Sequence, residues 1–253
     1  MKAVILAAGT GSRLAPLTND RPKVLVEVRG RPILFRQLDW LAAAGIPSRD
    51  VVIVGGYMID VLRAALTNGG YGDCTVVLND RYEPWNNFWS LATGLAEPAV
   101  SGHDVLQFDG DVILDEQILP RMIAAGGEAL LAVDRRADLD DETMKVELEA
   151  DGVRVHALSK QLPPAGCAGE YIGISRLSAG VARLVLAELR CLRDEALTGE
   201  YYEYAYYRLL SRAQVTFGIV DVHDCTVIEI DNLADLARAE ALVAGADPEG
   251  GRA

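Results

Sequence analysis

Short apolar runs alternate with segments of helical spacing along the first half of the chain. Residues 4–6 and 51–54 are such runs, and Leu34, Leu38 and Leu41 between them recur on one face of a helix. The alternation continues with predicted strands at 75–78 and 105–108 and predicted helices at 59–66 and 88–95. Strands that alternate with helices predict a mostly parallel sheet covered by helices on both faces.

The pattern changes after residue 128, where strands follow one another with short connections. Predicted strands at 144–150 and 153–158 flank Asp151-Gly152, which is typical of a two-residue hairpin turn. The other predicted elements are strands at 128–133, 168–174, 215–220 and 226–230, and helices at 178–192, 201–210 and 233–242. The predicted fold class is therefore α/β, with a mostly parallel Rossmann-like mixed sheet, helices on both faces and an antiparallel hairpin insertion. We expect one domain over residues 1–245 and a disordered tail over 246–253.

Composition narrows the possible functions. The 253 residues carry a net charge of −13, which argues against a general nucleic-acid surface and requires locally placed cations wherever an anion binds. The four cysteines lie far apart without a C-x-x-C pair, and we find no zinc-site spacing, leader peptide or membrane-spanning run. We therefore expect a cytoplasmic protein with free thiols that binds neither nucleic acid nor a membrane.

A glycine-rich loop follows the first strand. Gly9, Gly11 and Arg13 form G-x-G-x-R, but Leu14 stands where a dinucleotide-binding fingerprint needs a third glycine, and the P-loop pattern is absent. Such a loop can bring its N–H groups close to phosphates, although an ordinary turn is the alternative interpretation. The candidate nucleotide-binding segment is Leu6, Ala7, Ala8, Gly9, Thr10, Gly11, Ser12 and Arg13.

A second cation strengthens the phosphate interpretation. Lys23 lies in Pro22-Lys23-Val24-Leu25, ten residues after Arg13, and Gly30-Arg31-Pro32-Ile33 then opens a helix. Together, this long pattern resembles the signature of the sugar-phosphate nucleotidyltransferase superfamily. The resemblance implies an enzyme that joins a nucleoside triphosphate to a phosphorylated small molecule, releases pyrophosphate and uses Arg13 and Lys23 in catalysis.

Two pairs of acids lie at the ends of predicted strands. Residues two apart on a strand point to the same face, which pairs Asp109 with Asp111 and Glu229 with Asp231. Mg²⁺ typically takes one or two carboxylates together with phosphate oxygens and water. A polar strand end for Asp109 and a helix cap for Asp231 are the alternatives. The superfamily resemblance implies that Asp111 of Gly110-Asp111, with Glu229 and Asp231, holds the catalytic Mg²⁺.

The chain is most similar to the short phosphocholine-type cytidylyltransferases within that superfamily. This similarity rests on Val54-Gly55-Gly56-Tyr57, Asn79-Asp80-Arg81-Tyr82, Asn86-Asn87-Phe88-Trp89-Ser90-Leu91, Met144-Lys145, Glu170-Tyr171-Ile172-Gly173 and Glu229-Ile230-Asp231 with Asp235. The amide of Asn87 and the hydroxyl of Ser90 could read a pyrimidine edge or cap the helix that begins there. Asp109 and Gly110 complete the predicted nucleotide site, with CTP as the expected nucleotide.

The acceptor site is predicted from basic and aromatic residues late in the chain. The resemblance implies that Lys145 and Lys160 meet the acceptor phosphate, although isolated lysines are more often solvated. The tyrosine-rich stretch around Glu203 could surround an ammonium group or hold a sugar or cyclitol, and part of it must be core. The predicted acceptor-binding residues are Asp109, Lys145, Glu170, Tyr202, Glu203 and Tyr206. Arg135 and Arg136 stand where the phosphocholine branch has a cage tryptophan, which argues against choline itself.

Other functions remain open at the level of sequence. A sugar-1-phosphate or cyclitol-phosphate nucleotidyltransferase would use UTP, GTP, dTTP or ATP in the same site. Asp109-Gly110-Asp111 is also the D-x-D motif of glycosyltransferases, but a nucleotide-sugar donor lacks the pyrophosphate that Arg13 and Lys23 would hold. A nucleotide-binding regulator is a further alternative. The sequence leaves the oligomeric state open, including a homo-oligomer.

Overall fold

A mixed sheet forms the centre of the structure, a computed structural model that describes residues 1–136 and 138–246. The strands of this described part are β1 (Lys2–Ala7), β2 (Glu27–Val28), β3 (Arg31–Pro32), β4 (Val51–Gly55), β5 (Thr75–Leu78), β6 (Val105–Asp109), β7 (Val112–Leu114), β8 (Ala129–Asp134), β9 (Lys145–Leu148), β10 (Val155–Ser159), β11 (Gly169–Leu177), β12 (Gly218–Asp221) and β13 (Val227–Glu229). The helices are α1 (Ile33–Ala43), α2 (Ile59–Asn68), α3 (Phe88–Leu95), α4 (Ile118–Ala124), α5 (Ala179–Asp194), α6 (Glu203–Ser211) and α7 (Leu233–Ala246).

The topology of the sheet combines a parallel half with an antiparallel half. Strands β6, β1, β4 and β5 lie side by side and run parallel. Next to β6, strand β11 runs antiparallel and also pairs with β8 and with the β9–β10 hairpin, and β12 lies parallel to β8. The predicted mostly parallel sheet with an antiparallel hairpin is confirmed.

Both faces of the sheet are buried, which explains the uninterrupted apolar runs in its central strands. Along β1, Val4 and Leu6 pack into a core with α3, α5 and α6. Ala3, Ile5 and Ala7 alternate with them and pack into a second core with α1, α2 and α4. Helix layers on both sides therefore hold the carboxyl ends of the central strands in fixed positions.

Several short elements escaped the sequence analysis, namely α4, β2, β3 and β7. The pairing of β7 with β13 matters most, because it aligns Val112 with Glu229 in an antiparallel ladder. The backbone N–H of Ile230 also donates to the carbonyl of Asp111 at 3.0 Å. This small ladder brings a late segment of the chain beside the end of β6.

The turn between β9 and β10 differs from the prediction of a two-residue loop. The N–H of Glu149 donates to the carbonyl of Arg154 at 2.8 Å, so four residues lie between the closing pair. The side chain of Asp151 accepts hydrogen bonds from the backbone N–H groups of Val153 and Arg154. Asp151 therefore caps the turn with its own carboxylate, and this local bond favours the longer loop.

The end of the chain is described only in part. Helix α7 extends to Ala246, four residues beyond its predicted end, and the predicted tail lies outside the described residues from 247 onward. Within the described ranges, no helix combines the length and the apolar character needed to cross a bilayer.

Candidate active site

A cavity of about 670 Å³ opens at the carboxyl ends of β1 and β6. This is where open α/β sheets bind their ligands. The glycine-rich loop forms one side, three acids lie in the middle, and polar residues from the antiparallel half form the other side. The described lining residues include Leu6, Ala8, Gly9, Thr10, Gly11, Ser12, Arg13, Lys23, Asn87, Ser90, Asp109, Gly110, Asp111, Lys160, Glu170, Tyr201, Glu229 and Asp231. Most of the predicted site therefore converges on one cavity.

The glycine-rich loop owes its shape to close backbone packing. Gly11 has a φ of 63°, and a Cβ there would lie 2.7 Å from the Cβ of Lys23. The hydroxyl of Thr18 donates to the Gly11 carbonyl at 2.9 Å. At the opposite wall the Gly110 N–H donates to the Leu6 carbonyl at 2.9 Å, and a Cβ on Gly110 would collide with that oxygen. The glycines let Lys23 and the end of β6 approach the loop.

Two cations extend from this wall into the acidic centre. The Nζ of Lys23 lies 2.6 Å from Oδ2 of Asp111 and 2.7 Å from Oδ1 of Asp231. Burial lowers the pKa of Lys23, but the attraction of the Asp111 and Asp231 carboxylates outweighs it and the net pKa is raised. The Nη2 atom of Arg13 lies 2.8 Å from Oδ2 of Asp231. The Arg13 side chain is 70% exposed.

Three acids form a cluster that fits a divalent cation. Carboxylate oxygens of Asp111, Glu229 and Asp231 lie within 4.8 Å of one another. Oδ1 of Asp111 is buried and has no hydrogen-bond partner among the described residues. Burial, reinforced by Asp111 and Asp231, raises the pKa of Glu229 to about 8. Hard oxygen ligands of this kind suit Mg²⁺, and an ion would satisfy the unpaired oxygen and offset the repulsion.

Asp109, although only two residues from Asp111, has different partners. Its Oδ1 accepts from the Gln107 amide at 3.1 Å and its Oδ2 accepts from the Tyr202 hydroxyl at 3.0 Å. Gly173 has a φ of 74°, and a Cβ there would lie 2.5 Å from Oδ2 of Asp109. Burial raises the pKa of Asp109 well above its usual range, and nearby carboxylates add to the effect. Asp109 therefore lies on the cavity wall as the end of a hydrogen-bond network.

That network continues into the core. The Gln107 side-chain oxygen accepts from the hydroxyls of Tyr171 at 3.0 Å and Ser175 at 2.8 Å. The Tyr206 hydroxyl lies 2.9 Å from Oγ of Ser175, and the Tyr202 hydroxyl lies 3.1 Å from that of Tyr171. Tyr202 and Tyr206 are at most 1% exposed and do not line the cavity. Their predicted direct contact with the acceptor is not supported, because their rings fill the core beneath α6.

The two predicted acceptor lysines have different environments. Lys145 is 1% exposed, and its Nζ donates to the carbonyls of Asp140 at 2.5 Å and Thr143 at 3.3 Å. It supports the loop over residues 138–143 from below and does not line the cavity, which contradicts the predicted contact. Lys160 lines the cavity, with its Nζ 4.8 Å from the ring centre of Tyr201.

Two further predicted acceptor residues are acids, of which Glu170 is half-buried and Glu203 is buried. Glu170 lines the main cavity, and burial raises its pKa, with Asp134 and Asp140 adding to the effect. Glu203 lines a side pocket of about 200 Å³, which shares Lys160 and Tyr201 with the main cavity. Glu203 is 6% exposed, its Oε2 has no partner among the described residues, and burial raises its pKa to about 7.

Asn87 and Ser90, which were predicted to read the nucleotide base, lie on the cavity wall. Each already makes a hydrogen bond within the protein. Oδ1 of Asn87 accepts from the backbone N–H of Tyr202 at 3.1 Å, and Oγ of Ser90 accepts from the Asn79 amide at 2.9 Å. These bonds do not use the Asn87 amide hydrogens or the Ser90 hydroxyl hydrogen. Ala7 is buried and does not line the cavity, because its side chain faces the core with α1 and α2.

Part of the cavity wall was not predicted from the sequence. Asp138, Asp140, Glu142 and Thr143 line the cavity from the loop that Lys145 supports. The acid-rich run over residues 138–142 was the available signal, since such a run between two strands places several carboxylates on one loop.

Comparison with known protein families identifies the family to which this chain belongs. The model of the MobA-like NTP transferase domain matches residues 3–194. The chain belongs to this family. The matched region includes the glycine-rich loop, both cations and Asp111, whereas Glu229 and Asp231 lie beyond it.

The chain is also similar to individual proteins of known name. CMP-5'-(3-aminopropyl)phosphonate synthase of Streptomyces rubellomurinus is 31% identical over 95% of this chain. Choline-phosphate cytidylyltransferase of Streptococcus pneumoniae is 43% identical over 36% of this chain. The matched regions span 38% of the length of each of these two relatives. The structure of inositol-1-phosphate CTP transferase from T. maritima has a TM-score of 0.76 at 22% identity, covering 100% of this chain and 98% of that one, which shows a shared fold.

Proposed function

We propose that this protein is a Mg²⁺-dependent cytidylyltransferase that transfers CMP from CTP to a small phosphorylated or phosphonate acceptor and releases pyrophosphate. The observation that supports it best is the single cavity in which a glycine-rich loop and two cations adjoin three clustered carboxylates. The names of the Streptomyces and Streptococcus relatives support transfer of a cytidylyl group to an acceptor that carries an amino or quaternary ammonium group. We propose that residues 1–245 act as one domain in the cytoplasm.

The nucleotide would occupy the side of the cavity formed by β1 and the loop. Backbone N–H groups of the loop can donate to phosphate oxygens. Arg13 and Lys23 would meet the triphosphate and favour departure of pyrophosphate by neutralising its charge. Asn87 and Ser90 line the same cavity with unused donors that suit the edge of a pyrimidine.

Asp111, Glu229 and Asp231 would hold the metal. Bound there, Mg²⁺ supplies positive charge that offsets the repulsion between the phosphate groups. The protein itself needs no general base, because a phosphate monoester has its second pKa near 6 and is already an anionic nucleophile at neutral pH. Its side chains therefore have to position the reactants and balance their charges.

The acceptor would enter from the opposite side of the cavity. Lys160 is the cation on that side and would meet the acceptor phosphate, with Glu170 on the same wall. Glu203 lies in the adjoining side pocket with an unpaired carboxylate oxygen, so an amino group there would give it a partner. An acceptor with a phosphate or phosphonate at one end and an amine at the other fits this arrangement of charges.

The test is pyrophosphate release with Mg²⁺ from CTP, UTP, GTP and ATP. The acceptors are phosphocholine, phosphoethanolamine, 2-aminoethylphosphonate, inositol 1-phosphate and glucose 1-phosphate. We expect release with CTP and an amino-bearing acceptor. Release only with a hexose or cyclitol phosphate would favour the sugar-phosphate alternative. Release with no pair would contradict the proposed activity.

A further inference from the structure

Lys23 contacts two of the three carboxylates that would hold a metal ion. Its ammonium bridges Oδ2 of Asp111 and Oδ1 of Asp231 at 2.6 and 2.7 Å, and its side chain is only 11% exposed. Arg13 engages the other oxygen of Asp231. Three oxygens of the acid cluster are therefore already paired with cationic side chains of the same chain.

A divalent ion that used Oδ2 of Asp111 or Oδ1 of Asp231 would compete with this ammonium for the same oxygens. Mg²⁺ binds carboxylate oxygens at about 2.1 Å, so an ion on Oδ2 of Asp111 would lie within about 5 Å of the Lys23 ammonium as it stands. Two cations at this distance in a partly buried site repel each other strongly. This repulsion favours displacement of one of them, and a lysine side chain can move while its backbone stays in place.

The surroundings of Lys23 offer the ammonium a second partner. Its backbone is fixed in a one-turn 3-10 helix, and its Cβ lies against Gly11 of the glycine-rich loop. A phosphate held by the loop would thus lie next to the stem of the lysine. The flexible side chain could then turn from the carboxylates to the phosphate.

We infer that the Lys23 ammonium and a divalent ion exclude one another between Asp111 and Asp231. Lys23 thereby keeps free metal out of the site until a nucleotide phosphate draws the ammonium away. The inference rests on the proposed function in taking Asp111, Glu229 and Asp231 as metal ligands and in placing a nucleotide phosphate at the glycine-rich loop. It gives the lysine a second role, which is to couple binding of the metal to binding of the nucleotide.

The experiment measures Mn²⁺ binding by electron paramagnetic resonance with the whole protein and no nucleotide. We expect Lys23→Met to bind Mn²⁺ at least ten-fold more tightly than the wild type. Lys23→Gln, which replaces the ammonium with a neutral polar amide, should show a gain in the same direction if the methionine variant is unstable. The double variant Lys23→Met with Asp111→Asn should lose the gain.

Lys2→Met is the matched control. Lys2 forms a 2.7 Å ion pair with Asp50 at the opposite end of β1, so this variant removes one positive charge far from the acid cluster. It should bind Mn²⁺ like the wild type. Equal affinity of the wild type and both Lys23 variants, or no binding by either variant, would overturn the inference. A gain in affinity together with no release of pyrophosphate from any substrate pair would support it and contradict the proposed activity alone.

Discussion

The buried carboxyl of Glu203 should make the stability of this protein depend on pH. Burial raises its pKa from its ordinary value of 4.5 to about 7. The unfolded chain therefore loses this proton at a lower pH than the folded protein does. Between these two values the folded state binds more protons, so the free energy of unfolding falls as the pH rises and levels off above the folded pKa.

The size of the effect follows from linkage. Each pKa unit corresponds to about 1.4 kcal/mol. Between pH 5.5 and 8.5, Glu203 should lower the free energy of unfolding by about 2 kcal/mol, and Glu203→Gln should remove this contribution. The assay is urea unfolding of the wild type and the variant across that range. The difference between their unfolding free energies is the quantity of interest.

The control is Glu83→Gln, which makes the same chemical change at an exposed side chain. Its difference from the wild type should stay constant with pH. A difference between the wild type and Glu203→Gln that is equally constant would refute the reasoning, because it would mean that Glu203 ionises alike in the folded and unfolded chains.

Three other substitutions test the site. Asp111→Asn should reduce pyrophosphate release by about 100-fold or more with an unchanged near-ultraviolet circular dichroism spectrum, and retained turnover would contradict its role as a metal ligand. Gly173→Ala should lower the free energy of unfolding in urea by about 1–3 kcal/mol, because the new Cβ meets Asp109 at a positive φ; an unchanged value would contradict that contact. Tyr202→Phe should cost about 1–3 kcal/mol in the same assay but leave the acceptor KM unchanged, whereas a raised KM would indicate direct contact.

The fold was largely predictable because its central strands are buried on both faces. The bounds of Thr75–Leu78 and Phe88–Leu95 agree with the prediction to the residue. Strands β2, β3 and β7 are too short for any periodicity to appear. Their positions are set by tertiary pairing, which local sequence does not encode.

The site was predictable where a sequence motif determines the backbone. It was less predictable where tertiary packing determines which groups a side chain contacts. Strand alternation predicted that Asp109 and Asp111 share a face, but β6 ends at Asp109, so the alternation does not extend to Asp111. The Asp109 carboxylate accepts a hydrogen bond from Tyr202, and the Asp111 carboxylate accepts one from Lys23. The tyrosines were predicted to contact ligand because aromatic residues suit both a core and a binding site, and only packing distinguishes the two.

The short β7–β13 ladder has a consequence for the order of events during synthesis. The glycine-rich loop is synthesised well before Glu229 and Asp231, which follow it by most of the described sheet. A growing chain can complete the core strands β1, β4 and β6 well before these acids leave the ribosome. The acid cluster therefore assembles only after residues 227–231 have been made, and a chain that stops short of residue 227 would keep most of its sheet and lose two of the three carboxylates.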